Sequence, residues 1–200
     1  MSSRVYPKLR LVAALLMLES HALARSSKRD DDGLGFPVPD FAKLQSGGFA
    51  GAVALGLGYA ALDDVLNAGV FYGYVPPARG RSVQSLHFVL SLRPGEAQFA
   101  AARWLPLYAG FGALCTWGPG YFVTPPARYP AGYYYPTALR LTAHIGSELD
   151  WLSERGAFER HGFFVELTTL DIFLFAYVEN PHLVDLNDIV STSLGYRAAF

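Results

Sequence analysis

The sequence predicts an all-β protein: an antiparallel, up-and-down β-barrel of eight strands that crosses a membrane. Three observations predict it. Segments of roughly ten residues alternate bulky apolar side chains with small or polar ones, which is the period-two pattern of a strand. The bulky face is continuous and rich in aromatics, while the opposite face carries glycine, alanine and a few charges. Charged residues are only 16% of the 200, against about 25% in ordinary soluble domains, and aromatics reach 14%.

Residues 1–24 read as a secretory signal peptide. Arg4, Lys8 and Arg10 form its basic start, the run from Leu11 to Leu18 its apolar centre, and Ala22-Leu23-Ala24 its small-residue site, with cleavage expected after Ala24. That run is too short to cross a bilayer as a helix, which takes about twenty residues. Residues 25–45 are a polar segment, in which "GLGFPVPDFAKLQS" would supply an irregular first strand or thread the lumen. The barrel proper is expected over residues 46–200.

Seven strands are legible there. "GGFAGAVALGLGY" sets Phe49, Val53, Leu55, Leu57 and Tyr59 against glycine and alanine. "VLNAGVFYGYV" sets Leu66, Val70, Tyr72 and Tyr74 against Asn67, Gly69, Phe71 and Gly73. "SLHFVLSLR" opposes Leu86, Phe88, Leu90 and Leu92 to Ser85, His87, Ser91 and Arg93. "LPLYAGFGA" opposes Leu105, Leu107, Ala109 and Phe111 to Tyr108, Gly110 and Gly112. "TALRLTAHIGSEL" opposes Leu139, Leu141 and Ile145 to Arg140, Thr142, His144, Gly146 and Glu148. "FFVELTTLDIFLFAY" alternates up to Thr168 and then loses register, which predicts a bulge over Thr169–Asp171. "STSLGYRAAF" alternates through Thr192, Leu194, Tyr196, Ala198 and Phe200.

Two other architectures fit less well. Gly47-x-x-x-Gly51 has the spacing of packed membrane helices, but the apolar run around it is short and glycine suits a crowded strand interior better. A soluble barrel would keep its bulky face inside. In a barrel this narrow only small residues and a few paired charges fit inward, so the aromatic face belongs outside, against lipid.

At this point the chain resembles the small bacterial outer-membrane β-barrel proteins. The residues that carry the resemblance are the signal peptide, the strands from Gly47 to Phe200 and, above all, "SLGYRAAF". The resemblance implies a bacterial outer-membrane location and a C-terminal insertion signal at Leu194, Tyr196 and Phe200. It further implies as partners the outer-membrane lipid and, during biogenesis, the barrel-insertion machinery. An even strand count asks for an eighth strand, to be found in residues 25–45. With the last strand ending at the periplasmic side, the turn at "AALDD" is periplasmic and "TWGPGYFVTPPARYPAGYYYP" is an external loop.

The inward-facing Arg93, Arg140, His144, Glu148, Glu166 and Arg197 are expected to form one polar cluster in the lumen. A salt-bridged plug is the favoured reading over a catalytic or ligand site, because unpaired buried charges are costly. The barrel enzymes of that group carry motifs that this sequence does not match. Lipid A deacylases pair His-x-Ser with Glu, but in "AHIGSEL" Ser147 lies three residues after His144 and so faces the other way. No Asp-Ser dipeptide of the palmitoyltransferase barrels occurs, and Asp63-Asp64 has no Asp-His partner as in the outer-membrane proteases. No G-x-S-x-G, H-E-x-x-H or phosphate-binding glycine loop is present. Cys115 stands alone, which excludes an internal disulfide and a cysteine-based metal cluster. No cofactor and no metal are expected, and a net charge of -1 gives no reason to expect nucleic acid. Trp117, Tyr121, Phe122 and the tyrosines of "GYYYP" are expected in an interfacial girdle. The function that follows is an integral barrel protein with a filled polar lumen and a structural or surface-interaction role. A lipid- or lipid A-modifying enzyme and a narrow channel for small solutes are the alternatives.

Overall fold

The computed structural model describes residues 38–77, 81–124, 126–127, 136–153 and 158–200. The expected signal peptide and Tyr133–Tyr135 lie outside these residues. The strands are β1 (Phe41–Gly47), β2 (Val53–Ala61), β3 (Leu66–Val75), β4 (Val83–Leu92), β5 (Ala97–Phe99), β6 (Ala102–Trp117), β7 (Leu139–Leu152), β8 (Arg160–Leu170) and β9 (Val190–Ala199). Helices α1 (Asp171–Glu179) and α2 (Leu186–Ile189) join β8 to β9. Every pairing is antiparallel. The sheet runs β4-β3-β2-β1-β9-β8-β7-β6, and β4 pairs with β6 to close it, so eight strands form the barrel while β5 is a short hairpin added to β6.

The wall has the polarity the alternation demands. In β2, Val53, Leu55, Leu57 and Tyr59 are exposed while Ala54, Gly56 and Gly58 face in. Phe88, Leu90, Phe111, Leu141, Ile145 and Leu194 continue that apolar outer surface around the barrel. Exposed aromatics gather toward its two rims. Tyr59, Phe99, Trp104, Trp151 and Phe163 lie toward the end where β1 begins and β9 finishes, here the near end; Tyr72, Tyr74, Trp117 and Tyr121 lie toward the opposite, far end. Apolar outside, polar inside and two aromatic belts make this a transmembrane β-barrel. Among the described residues no helix is long and apolar enough to cross a membrane.

Inside, large side chains sit over glycines of the adjacent strand. Phe41 pairs across from Gly58, Phe71 from Gly56, Tyr108 from Gly146, His144 from Gly110 and Phe164 from Gly195. A β-carbon at any of these glycines would enter its partner's ring or the backbone beside it. Gly146→Ala should therefore destabilise the barrel by about 1–3 kcal/mol, as overpacking does. Gly95, where an added methyl meets nothing within 4 Å, is the control. Denaturant unfolding of the two refolded variants checks this, and equal midpoints would contradict it.

Four details differ from the sequence reading. β1 is a regular strand from Phe41 that pairs with both β2 and β9, so the barrel begins before residue 46 and its first strand is not irregular. Residues 48–52 make the β1–β2 turn, and Phe49 is not on a strand. The bulge falls in β6 between Leu105 and Tyr108, so Leu105 points inward, 3% exposed, rather than to the outer face. No bulge occurs at Thr169–Asp171; there the strand ends and α1 starts.

Candidate functional site

The inward positions bring opposite charges together at the near end of the lumen. Glu148 of β7 is the centre of one group. Arg93, just past β4, donates two hydrogen bonds to its carboxylate at 2.8 and 3.0 Å, Arg197 of β9 donates one at 3.1 Å, and Lys43 of β1 stands 4.0 Å away. Glu148 is 1% exposed. Lys43 also lies over the rings of Phe164 and Tyr108, 4.4 and 5.0 Å from their centroids, which suits a desolvated ammonium.

Asp64 is the second centre. It accepts hydrogen bonds from Arg103 and Arg197, both at 3.0 Å, and lies 3.6 Å from Arg93 and 3.5 Å from Arg160. Arg103 further pairs with Asp150 at 2.8 Å and Glu96 at 2.7 Å, and Arg197 donates to Asn67 at 3.0 Å. Asp64 reaches the arginines because the β2–β3 turn is unusual. Leu62, Asp63 and Asp64 have φ of 55°, 56° and 67°, three successive non-glycine residues in the left-handed region. Such residues cost of order 1 kcal/mol or more each, and persist where surrounding structure holds them. Here the ion pairs at Asp64 do so, together with the Asn67 amide, which donates to the Asp64 carbonyl and carboxylate at 3.0 and 2.8 Å.

Burial pushes the Asp64 carboxyl up, but Arg197 and Arg93 outweigh it and hold the group well below the ordinary carboxylate range. A folded value below the unfolded one stabilises the protein above the unfolded value of about 3.9. That contribution disappears as pH falls below it toward the folded value. Asp64→Asn should therefore be less stable than the wild type at neutral pH, with the gap narrowing between about pH 4 and pH 2. Denaturant midpoints taken across that range test it; a gap constant with pH would count against the assignment.

Toward the far end the lumen is filled by hydrogen bonds among hydroxyls, imidazoles and the Glu166 carboxylate. Tyr108 donates its hydroxyl to Glu166 at 3.0 Å, and Thr168 bonds the same carboxylate at 3.3 Å. His87 bonds Thr142 and His144 bonds Ser91, each at 2.9 Å. The Ser91–His144 contact has the geometry of an activated nucleophile. Both residues are buried, however, and His144 Nδ1 has no hydrogen-bond partner to orient the ring. A gap of about 20 Å³ beside Phe41, Lys43, His87 and Ser91 has room for one water and for no larger substrate.

Both mouths are closed. At the near end the arginine–carboxylate layer floors a vestibule of about 520 Å³ lined by Asp40, Asp63, Glu96, Arg103, Arg160 and Arg197. At the far end the β1–β2 turn folds inward: Ala50 is buried, and its carbonyl accepts the Ser85 hydroxyl. Gly51, at φ 147°, lies against the backbone of Tyr74. Phe49 of the same turn meets Phe173 of α1 with ring centroids 5.7 Å apart.

Of the six residues expected in one cluster, Arg93, Glu148 and Arg197 are joined directly. His144 and Glu166 belong to the hydrogen-bonded layers beyond it. Arg140 is not part of the cluster: it sits at the far rim, 3.8 Å from Asp171 of α1. The structure adds Lys43, Asp64, Asn67, Arg103, Tyr108, Asp150 and Arg160. Among the described residues no group of three or more His, Cys, Asp and Glu side chains could hold a metal. Ser147 is on the outer wall, accepting from Trp104 and donating to the Leu105 carbonyl, both at 3.1 Å, and so faces away from His144. At the carboxyl end, Leu194 is exposed outward, Tyr196 packs edge-on to Phe163 at 5.4 Å, and Phe200 stacks near Phe158 at 5.4 Å.

These features define the class as a closed, filled transmembrane barrel. No family model matches the chain, and no curated protein matches it. One solved structure similar to it is the outer membrane enzyme PagL, at 19% identity and a TM-score of 0.39, over 80% of this chain and 98% of that one. The fold rests on the strand pairing above and not on that likeness.

Proposed function

We propose that the chain is an integral protein of a bacterial outer membrane, with a polar, plugged lumen and a structural or surface-interaction role. The observation that carries this is the double closure of an inside-polar barrel. Charge pairs fill one mouth, a folded turn fills the other, and the gap beside Phe41, His87 and Ser91 between them has room for about one water. A narrow barrel filled in this way does not conduct solutes. The separation of His144 and Ser147 onto opposite faces of β7 speaks against a deacylase-type site on the wall.

In this reading the near end is periplasmic, the far end external, and the N-terminal leader is removed after Ala24. Leu194, Tyr196 and Phe200 then serve as the recognition signal for the insertion machinery. The experiment is a set of three readings on the mature protein from an outer-membrane fraction. Gel migration should shift on boiling, planar-bilayer recordings should show no steps, and lipid A mass spectra should be unchanged by its expression. A stepwise conductance or an altered lipid A species would replace this reading with the channel or the enzyme.

A further inference from the structure

We propose that α1 and the segment behind it form a docking surface for a cationic amphipathic polypeptide helix at the far end of the barrel. This goes beyond the structural role proposed above and names the kind of partner the surface fits. The helix "DIFLFAYVE" is apolar on every side between its two acidic ends, apart from Tyr177, and no residue of it is buried. A helix that is apolar all round ordinarily needs cover all round.

Here the barrel covers only one side. Ile172, Phe173, Ala176 and Tyr177 are half-buried, with Phe173 against Phe49 of the inward-folded turn. The other side is open: Phe175 and Val178 are each 69% exposed, and Leu174 lies beside them on the same face. Leu183 and Leu186, 85% and 59% exposed, extend this apolar surface into the next segment. Isolated exposed apolar residues are ordinary, but five within thirteen residues mark an interaction site.

Charge selects the occupant. Residues 171–189 contain Asp171, Glu179, Asp185 and Asp188 and no lysine or arginine. Helices that lie on anionic lipid carry the opposite sign, so the surrounding leaflet is a poor partner. A second copy docking through the same face would bring these acids against one another, at a cost. With Asp171 paired to Arg140, the ridge is bordered by the carboxylates of Glu179, Asp185 and Asp188, which makes it complementary to a helix with an apolar stripe flanked by lysine or arginine, seated side by side with α1.

The test uses the full mature barrel in phosphatidylcholine nanodiscs, with empty discs as the blank. Two labelled peptides of about four turns share one leucine face and differ only in lysine or glutamate on the other. The lysine peptide should bind at least about ten-fold more tightly than the glutamate peptide. Phe175→Ser with Val178→Ser should weaken it about ten-fold. Asp185→Asn with Asp188→Asn should weaken it several-fold and flatten its salt dependence. Heat-dependent gel migration confirms that each variant folds. Equal binding of both peptides, or lysine-peptide binding untouched by the serine pair, overturns the proposal. So does serine-sensitive self-association or anionic-vesicle adhesion in the absence of peptide selectivity; either would assign the face to a second copy or to lipid.

Discussion

Glu148→Ala should cost the barrel about 3–5 kcal/mol, the loss typical when one member of a buried charge group is removed. The carboxylate takes three hydrogen bonds from two arginines and faces a lysine besides. Arg197 would keep Asp64 and Asn67, but Arg93 would be left with Asp64 at 3.6 Å. Lys43 would retain the faces of Phe164 and Tyr108 and, farther off, the Glu166 carboxylate. The cost thus comes chiefly from stranded cations, and not from the intrinsic worth of the ion pair. Replacing partners together should accordingly cost less than the sum. Arg93→Met with Glu148→Met, similar in length and apolar, should show a coupling of about 1–3 kcal/mol relative to the two single changes. Urea unfolding of refolded protein in lipid supplies all four stabilities. A Glu148→Ala loss under about 1 kcal/mol, or strict additivity, would mean that water already screens this layer.

How much of this was legible in the sequence depends on what each residue needed. The wall needed only the period of two, so Leu55, Leu57 and Tyr59, or Leu139, Leu141 and Ile145, were assigned to the outer face from their spacing, and the structure exposes all six. Arg93, Glu148 and Arg197 sit at inward positions of regular or just-ended strands, and the same alternation found them. Asp150 obeys it too, two residues after Glu148, and could have been included. Asp64 could not, because a turn has no period: its inward reach depends on three left-handed residues that the ion pairs and the Asn67 amide hold in place. Arg103 was hidden for a different reason. The bulge between Leu105 and Tyr108 reverses the faces of β6, so alternation carried back from Phe111 misplaces everything before it. Lys43 was lost because the prolines ahead of it argued against a regular β1, yet those prolines precede the strand and leave its ladder intact. α1 was the hardest case. "DIFLFAYVE" is rich in residues that suit a strand as well as a helix, and a short apolar run cannot be separated by periodicity alone.

Phe111→Arg is the second substitution with a large expected effect, and it tests the sidedness of the whole barrel. Phe111 is 74% exposed on the outer wall. It is flanked by Leu90 on β4 and Ala143 on β7, well away from either rim of the sixteen-residue β6. If that wall faces hydrocarbon, an arginine there costs about 2–4 kcal/mol, falling to about 0–1 near the interfaces. Trp117→Arg, at the far rim of the same strand, should therefore cost little by comparison. If the wall instead faced water, the arginine would be an ordinary surface change, within about 0.5 kcal/mol. Folding equilibria in a bilayer of defined thickness separate the two outcomes. A depth-dependent penalty at Phe111 and none at Trp117 would establish that the apolar face is solvated by lipid. Equal, negligible effects at both would turn the sheet inside out. The charge network at Glu148 and Asp64 would then need another explanation, because a polar core has no reason to be enclosed by an apolar wall facing water.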